Sequence, residues 1–261
     1  METIQVENLS FSYAQSKALF HNVTFSLNEG SIMCILGQNG TGKTTLLNCI
    51  LGLVKSNTGN VKIFGKPTME YSRKELSALI AFVPQLTSIP FDYTVFEFVL
   101  MGCSPRLSVF STPSKDMERD VLNTLDNLGL YRFRDRSIRQ LSGGELQLTY
   151  IARALSQKPR IIILDEPTSA LDYAKSYMLL DILNKLKDEG YTIIFSCHNP
   201  DYSFYFMDTT AAFLPSGDFQ VGKTKEILTD ELLSKIYGIK MKKIAIPGTN
   251  QIVCRHVLEV L

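Results

Sequence analysis

Hydrophobic and polar positions change period several times along this chain. Residues 1 to 30 alternate between the two and contain turn-forming residues, which predicts antiparallel strands. Residues 58 to 65 predict another short strand between turns. Residues 31 to 36, 161 to 164 and 192 to 196 are instead continuous apolar runs. Such runs are typical of strands buried on both faces, so the pattern predicts an α/β sheet with a covered centre.

Helical periodicity follows the first of these runs and dominates the middle of the chain. Apolar residues at 46, 47, 50 and 53 recur at helical spacing and predict a helix there. The section from about residue 86 to residue 157 is mostly helical in pattern, which predicts a helical insertion in the α/β sheet. The other predicted helices cover 95 to 101, 117 to 128, 143 to 157 and 174 to 189, and one begins at Thr229.

Composition and charge exclude several classes of protein. The formal net charge is +1, without the positive excess of a nucleic-acid-binding protein. No apolar stretch approaches the ~20 residues that span a bilayer, so we expect any membrane pathway to belong to other polypeptides. Residues 1 to 5 carry no secretory signal pattern. The five scattered cysteines predict reduced, buried thiols in a cytosolic compartment.

Residues 37 to 44 read Gly-Gln-Asn-Gly-Thr-Gly-Lys-Thr and match the phosphate-binding pattern G-x-x-x-x-G-K-[ST]. Glycines allow successive backbone N–H groups to converge on phosphate oxygens where the following helix begins. Lys43 adds a positive charge, and the hydroxyl of Thr44 is a ligand for Mg²⁺. The alternative is an ordinary glycine turn with a surface lysine. The strand before the loop and the helix after it favour a nucleoside triphosphate site.

Asp165 and Glu166 follow directly after the apolar run 161 to 164. Open α/β sheets bind ligands at the carboxyl ends of their strands. Asp165 is therefore predicted to organise Mg²⁺, and Glu166 to polarise a water for attack on the γ-phosphate. An isolated Asp-Glu pair would more often be a solvated strand end. Together with the loop at 37 to 44, the pair predicts a hydrolytic site.

Residues 141 to 145, Leu-Ser-Gly-Gly-Glu, resemble the signature motif of ATP-binding cassette (ABC) proteins. Residues 169 to 172 are similar to the D-loop of that family. Gln85 stands at the position of its Q-loop glutamine, His198 at that of its switch histidine, and Tyr13 where the family stacks an aromatic ring on adenine. These matches occur in the order that the family has.

The resemblance covers about residues 4 to 222 and implies a fold. We expect an α/β, RecA-like P-loop NTPase core with an N-terminal antiparallel β-subdomain and an inserted α-helical subdomain. The nucleotide-binding domain is expected at 1 to 222, with the helical subdomain at about 86 to 157. Residues 223 to 261 are expected to form a C-terminal extension packed on the same domain.

The resemblance also implies the roles of individual residues around ATP and Mg²⁺. The catalytic residues would be Gln85, Glu166 and His198, and the Mg²⁺ ligands Thr44, Gln85 and Asp165. ATP would contact Tyr13, Gly37, Gln38, Asn39, Gly40, Thr41, Gly42, Lys43, Thr44 and Thr45 of its own subunit. Ser142, Gly143, Gly144, Glu145 and Asp172 would contact the ATP of a partner subunit.

Several of these residues have a purely structural alternative. Ser142 is a good helix N-cap. His198 could be a hydrogen-bonded residue at a strand end, and Tyr13 could pack against a strand. The chain also departs from the common family pattern, since Glu145 stands where many members carry glutamine and Asn199 where an acidic residue is commoner.

Residues 91 to 102, with Pro105 and Phe110, resemble the importer ATPases that serve iron chelates, haem, vitamin B12 and molybdate or tungstate. The pattern from Gly222 to Gly238 is similar to the same group. The resemblance implies an ATP-hydrolysing subunit that powers the import of a metal chelate or oxyanion. It would act as a head-to-tail homodimer on two integral-membrane permease subunits and, indirectly, with an extracytoplasmic solute-binding protein. It would be a peripheral protein on the cytoplasmic face of the inner membrane. It would not bind nucleic acid.

Three other classes share part of this pattern. An ABC exporter ATPase has the same core. A soluble ABC protein acting on ribosomes or DNA usually carries two cassettes or a long coiled coil. A kinase with a glycine loop has no use for the signature at 141 to 145.

Overall fold

The structure is a computed structural model that describes residues 2–13, 18–85, 92–108, 111–206 and 208–257. Internal contacts divide the chain into two compact units. The first unit comprises Met1–Glu70 and Leu183–Leu261, and the second comprises Tyr71–Ile182. Phe91 and Phe110, which belong to the importer-like segment of the sequence, lie outside the described residues.

Strands and helices alternate along most of the chain. The strands are β1 (Glu2–Phe11), β2 (Phe20–Asn28), β3 (Ile32–Leu36), β4 (Thr58–Ile63), β5 (Lys66–Pro67), β6 (Ile80–Val83), β7 (Ile161–Leu164), β8 (Thr192–Cys197), β9 (Thr209–Phe213), β10 (Phe219–Lys223), β11 (Met241–Ala245) and β12 (Ile252–His256). The helices are α1 (Lys43–Ile50), α2 (Arg73–Leu79), α3 (Val95–Leu100), α4 (Lys115–Asn127), α5 (Gly143–Ser156), α6 (Tyr173–Asp188), α7 (Pro200–Phe206), α8 (Thr224–Ile227) and α9 (Asp230–Tyr237). Short 3-10 helices cover Thr68–Glu70, Met101–Arg106, Tyr131–Phe133 and Ile138–Gln140.

The amino-terminal strands of the first unit form an antiparallel sheet in the order β2-β1-β4-β5. Ile4, Val6 and Leu9 of β1 are buried, so the alternation predicted from the sequence is confirmed. The register shifts after Val6, and β4 approaches closely there: a Cβ on Gly59 would lie 2.4 Å from the carbonyl oxygen of Asn8. Only glycine fits this approach.

Strand β3 pairs in parallel with β8 and with β9, and β10 pairs antiparallel with β9. Every residue of β3 and β8 is buried, as their continuous apolar runs predict. Parallel neighbours end at the same edge of a sheet, so the segments that follow Leu36 and Cys197 emerge side by side. Gly37 N accordingly donates to Cys197 O at 3.3 Å.

Helix α1 is shorter than the sequence pattern predicts. It ends at Ile50, and Gly52 takes a left-handed conformation with φ 63° that turns the chain. Leu53 therefore lies beyond the helix and is 56% exposed. Its assignment to the helix was wrong because apolar spacing alone does not register a glycine stop.

In the second unit, β6 and β7 pair in parallel, with Val83 opposite Leu164. Helices α3, α4 and α5 pack around a buried apolar cluster. The 3-10 helix Met101–Arg106 approaches α5 closely, since a Cβ on Gly102 would lie 2.1 Å from the carbonyl oxygen of Arg153. The predicted helices in this region are confirmed to within two residues at each end. The buried cluster consists of Val95, Phe98, Val99, Cys103, Val121, Leu125, Leu130, Ile138 and Ala152.

The carboxyl-terminal part of the first unit is a helix followed by a hairpin. Helix α9 begins after Thr229, whose side chain accepts from Leu232 N, as predicted. The outer edges of the β11–β12 hairpin are capped by carboxylates: Lys243 N donates to Asp230 at 2.8 Å, and Cys254 N donates to Asp201 at 2.7 Å. At these two positions the outward N–H groups are not available to another strand.

Candidate functional site

The phosphate loop begins at the end of β3 and leads into α1. Gly40 and Gly42 have φ values of +82° and +105°, which only glycine adopts without strain. Gly42 is the N-cap of α1 and provides no side-chain acceptor, and the first turn of the helix carries no acidic residue. Lys43, only 5% exposed, donates from Nζ to Gly37 O at 2.9 Å and to Gln38 O at 3.0 Å. A helix start without a capping acceptor, next to a buried ammonium, suits a bound anion.

The other loop residues close this turn or face outward. Thr41 Oγ1 donates to Gln38 O at 2.9 Å. A Cβ on Gly37 would lie 2.8 Å from Thr41 Oγ1, so the first glycine is also required sterically. Asn39 and Thr44 are exposed, whereas Thr45 is buried.

Tyr13 lies in the first unit and reaches α1 through its hydroxyl. The hydroxyl lies 3.3 Å from Thr45 Oγ1, and the ring contacts Phe11 edge to face at 4.9 Å between centroids. The residue remains 60% exposed. An aromatic ring with this exposure can stack on a flat ligand.

His198 follows β8 directly and is exposed. Its backbone is fixed by the hydroxyl of Tyr237, which donates to His198 O at 2.7 Å. Burial raises the pKa of Tyr237, so this donor keeps its proton at any physiological pH. Because β8 and β3 are parallel neighbours, His198 and the phosphate loop leave the same edge of the sheet.

Asp165 and Gln85 leave one edge of the β6–β7 pair in the second unit. Asp165 is 2% exposed, and its N–H donates to Val83 O at 2.9 Å. Gln85, two residues beyond β6, is exposed. A carboxylate and a carboxamide oxygen are ligands that Mg²⁺ takes in proteins.

No group of three or more His, Cys, Asp and Glu side chains suited to a metal occurs among the described residues. Mg²⁺ in nucleotide sites is commonly held by one or two carboxylates and by phosphate oxygens, so the donors present fit a nucleotide-borne Mg²⁺.

Glu166 has a left-handed backbone with φ 45°. This conformation is unfavourable for a residue with a long side chain and is enriched at functional sites. The turn is closed by Ser169 N, which donates to Glu166 O at 3.1 Å. The sequence contains no signal for this strain, because an Asp-Glu pair after a strand is compatible with ordinary extended backbone.

The signature residues form the start of α5. Glu145 N donates to Ser142 Oγ at 3.4 Å, and Ser142 N donates to the Glu145 carboxylate at 2.8 Å, so the two residues form a capping box. The N-cap alternative for Ser142 is thus realised, although an N-cap serine can also meet a ligand. The glycines are sterically constrained as well: a Cβ on Gly143 would lie 3.0 Å from Ala170 O, and one on Gly144 would lie 2.7 Å from Lys175 Cδ.

Asp172 precedes α6 and is exposed. Its carboxylate accepts from Lys175 N at 2.9 Å and lies 3.3 Å from Lys175 Nζ. The backbone hydrogen bond from Lys175 lowers the pKa of this carboxyl. The D-loop aspartate is therefore ionised and oriented by the start of α6.

The predicted site residues are thus divided between the two units. Within the first unit, the structure brings the phosphate loop next to Tyr13 on one side and to the end of β8 on the other. Within the second unit, Gln85, Asp165 and Glu166 follow neighbouring strands, and the signature and D-loop residues lie at the starts of α5 and α6.

Comparison with known proteins decides the family. Residues 20–169, more than half of the chain, match the model of the ABC transporter family. The chain belongs to the ABC transporter ATPase family. The resemblance carried by the signature motif is confirmed, and membership implies nucleotide binding and an ATPase coupled to transport. Members of this family work with membrane permease components.

Relatives match over nearly the whole chain. An ABC transporter ATP-binding protein of Haemophilus influenzae is 38% identical over 90% of this chain and 89% of its own length. The molybdate import ATP-binding protein MolC of the same species is 36% identical, over 92% and 90%. The manganese transport system ATP-binding protein MntA of Synechocystis is 33% identical, over 90% of each.

Solved structures share the fold. The chain of a metal-chelate type ABC transporter in an inward-facing conformation superposes with a TM-score of 0.87 at 34% identity, covering 98% of this chain and 97% of that one. An ABC transporter cassette in its ADP conformation gives 0.80 at 26% identity, covering 91% and 98%. The predicted P-loop NTPase fold with an antiparallel β-subdomain is therefore confirmed. Within the described residues, none of the helices has the length and apolar character that a bilayer crossing requires.

Proposed function

We propose that two copies of this chain bind ATP with Mg²⁺ and hydrolyse it to power the import of a metal chelate or an oxyanion. The buried Lys43 ammonium at the uncapped start of α1 is the observation that supports the nucleotide site most directly. The cargo class is supported by relatives named for molybdate, manganese and iron chelatin transport. A metal-chelate type transporter is also among the structural relatives.

ATP binding starts in the first unit. The β- and γ-phosphate oxygens take over Lys43 Nζ from the carbonyl groups of Gly37 and Gln38, and the loop N–H groups donate to the same phosphates. Residues 38 to 42 and Thr45 complete the cradle. Tyr13 stacks its exposed face on adenine.

Thr44, Gln85 and Asp165 hold the Mg²⁺ that accompanies ATP, and the ion offsets negative charge on the β- and γ-phosphates. Glu166 orients a water and accepts its proton as the water oxygen attacks the γ-phosphorus. The bond to the bridging oxygen breaks, which yields ADP and phosphate. His198 donates to the γ-phosphate and keeps it in line with the attacking water.

A second copy of the chain completes each site. Ser142, Gly143, Gly144 and Glu145 of one copy, together with Asp172, face the triphosphate bound by the other, in a head-to-tail homodimer. The support is the start of helix α5, where Ser142 and Gly143 are exposed and the helix presents the positive end of its dipole.

Closure of the dimer moves two integral-membrane permease subunits, which an extracytoplasmic solute-binding protein supplies with cargo. The ATPase is then a peripheral protein on the cytoplasmic face of the inner membrane, with its extension at 223 to 261 packed on the nucleotide-binding domain at 1 to 222.

Substitution of Lys43 tests the nucleotide site. Lys43→Ala should weaken ATP binding by about 100-fold, because charge-assisted hydrogen bonds to phosphate are lost. Titration with a fluorescent ATP analogue measures the change. Lys62→Ala is the matched control, since Lys62 pairs with Glu7 on the β-subdomain. This variant should bind ATP with the affinity of the wild type. Normal affinity in Lys43→Ala would overturn the loop assignment.

Substitution of Glu166 tests catalysis and dimerisation together. Glu166→Gln should bind ATP, stop hydrolysis and accumulate as a nucleotide-bound dimer in analytical ultracentrifugation. Undiminished turnover would remove Glu166 from its role, and a strictly monomeric ATP-bound variant would contradict the shared site.

The cargo is tested by purifying the chain with its membrane partners. Reconstituted vesicles should take up radiolabelled molybdate or an iron chelate only with ATP on the side of this subunit. If solute instead moved away from the side that carries this subunit, and the permease needed no solute-binding protein, the transporter would be an exporter.

A further inference from the structure

Glu145 carries a negative charge at the position where a partner's triphosphate is proposed to bind. Its carboxylate accepts from Ser142 N at 2.8 Å, so it folds back over the start of α5. The hydrogen bond from Ser142 N lowers the pKa of Glu145, and the charges of Arg136 and Arg132 lower it further. The carboxylate is therefore ionised at neutral pH.

An ionised carboxylate at this position opposes the binding of phosphate. Like charges repel, and Glu145 already occupies part of the anion-binding capacity of the helix start. A glutamine here would keep the capping box without the charge. Closure on ATP therefore requires that the charge of Glu145 be offset nearby.

Two guanidinium groups lie over one aromatic ring, which lines the same cavity as Glu145. Arg132 Cζ is 4.6 Å from the ring centroid of Phe133, and Arg136 Cζ is 5.7 Å from the same centroid. Arg132, Phe133, Ser142 and Glu145 line a common cavity of about 310 Å³. The ring thus holds two positive charges at the edge of the signature motif.

Arg134, between them in sequence, is arranged differently. Its guanidinium pairs with Asp135 at 3.2 Å and lies 4.6 Å from the ring centroid of Tyr131. It lies over Tyr131 rather than over the Phe133 ring that Arg132 and Arg136 share. Arg134 is therefore a matched control in the same segment, with the same charge.

We infer that Arg132 and Arg136 are positioning residues that offset the charge of Glu145, so that the signature motif of one copy can close on the triphosphate of another. This inference rests on the proposed function. It assigns a role in nucleotide closure to residues outside the motif.

The test measures ATP hydrolysis by the full chain against ATP concentration. Arg132→Gln combined with Arg136→Gln should raise KM about tenfold, the size of a strong charge interaction at a partly exposed site, with kcat changed less than about twofold. In a Glu145→Gln background the same two substitutions should change KM less than about twofold, because the charge to be offset is gone. Arg134→Gln should leave KM unchanged.

Two further measurements separate a charge effect from a structural one. Arg132→Lys with Arg136→Lys should keep KM within about threefold of the wild type, because the charge is retained. The effect of the double glutamine variant should shrink at about 0.5 M salt, where exposed charges are screened. Melting temperatures of the double variant and of the single variants Arg132→Gln and Arg136→Gln show whether a rise in KM reflects unfolding.

The outcomes are distinguishable from failure of the proposed function. The inference is overturned if the two arginine-to-glutamine substitutions raise KM equally in the wild-type and Glu145→Gln backgrounds, or if they do not raise it in the wild-type background. In either case ATP binding and hydrolysis stand. A wild-type chain that neither binds nor hydrolyses ATP overturns the proposed function itself.

Discussion

Cys34 Sγ lies 3.1 Å from Cys197 Sγ, on the two strands that end at the phosphate loop and at His198. Ser203 Oγ donates to Cys34 Sγ at 3.1 Å, and Cys197 Sγ donates to Asn199 O at 3.4 Å, so the thiols belong to a buried chain of hydrogen bonds. Burial, together with the hydrogen bond to Cys34, raises the pKa of Cys197 well above its ordinary value. Both thiols are buried and act as packed, weakly hydrogen-bonding side chains.

Stability should fall in alkaline solution. Burial raises the pKa of Cys49 to about 11 and that of Cys254 to about 12. In the unfolded chain these thiols ionise near pH 8.5, so above that pH the unfolded state binds fewer protons than the folded state. The stabilisation is complete below about pH 8 and is lost at about 1.4 kcal/mol per pH unit and thiol as pH rises towards the folded pKa. Urea unfolding between about pH 7 and pH 10 measures this slope.

Cys49→Ala is the control for this pH dependence. It removes one of the contributing thiols, so the alkaline slope should become shallower even though the variant is less stable at neutral pH. A slope identical to that of the wild type would show that Cys49 does not contribute.

Backbone strain at Glu166 should reverse the usual order of stability between two substitutions. Glycine normally destabilises relative to alanine, but the φ of 45° favours glycine. Glu166→Gly should therefore be more stable than Glu166→Ala by about 1 kcal/mol, and both should lack hydrolysis. Thermal unfolding measures the difference, and an alanine variant as stable as the glycine variant would mean that the residue relaxes out of the left-handed region.

Gly102→Ala should destabilise the second unit strongly. The added Cβ would lie 2.1 Å from Arg153 O, a backbone atom that cannot move without shifting α5. We expect a loss of about 2 to 3 kcal/mol, typical of overpacking in a close-packed interior. Ser104→Ala, at an exposed position of the same 3-10 segment, should cost less than about 1 kcal/mol. Equal unfolding midpoints for the two variants would contradict the close approach.

Asp201→Ala should loosen the C-terminal hairpin without affecting nucleotide binding. The carboxylate of Asp201, 10% exposed, accepts from Cys254 N at 2.7 Å and from Arg255 Nη1 at 2.9 Å. Its removal leaves a partly buried N–H without an acceptor, at a cost of about 2 kcal/mol. Limited trypsin digestion at Lys242 should then be faster.

Asp218→Ala is the control, because Asp218 pairs with His21 at the surface. Its digestion should match that of the wild type. Unchanged digestion of Asp201→Ala would show that the hairpin is held by other contacts.

Regular periodicity made the buried strands and the long helices predictable. β3 and β8 follow from continuous apolar runs, and α5 from helical spacing after Ser142. The hairpin of β11 and β12 was not predicted, and two of its N–H groups bond to Asp201 and Asp230, contacts that no local pattern indicates. Short elements such as α2 and β6 gave too few residues for a period to be recognised.

The candidate site is also predictable in part from the local sequence and in part only from tertiary contacts. Local motifs predicted the glycine loop and the capped start of α5, because spacing along the chain determines both. The left-handed Glu166, the link from Tyr237 to His198 and the paired arginines on Phe133 depend on tertiary contacts. Nothing in the adjacent sequence indicates them.

The carbonyl groups that hold Lys43 Nζ in the loop have a consequence for anion binding. An exposed cation has to lose its water when a ligand arrives, which costs free energy. Here the ammonium is already out of water and only exchanges one pair of oxygens for another. Phosphate binding at this loop therefore does not add the cost of dehydrating the Lys43 side chain.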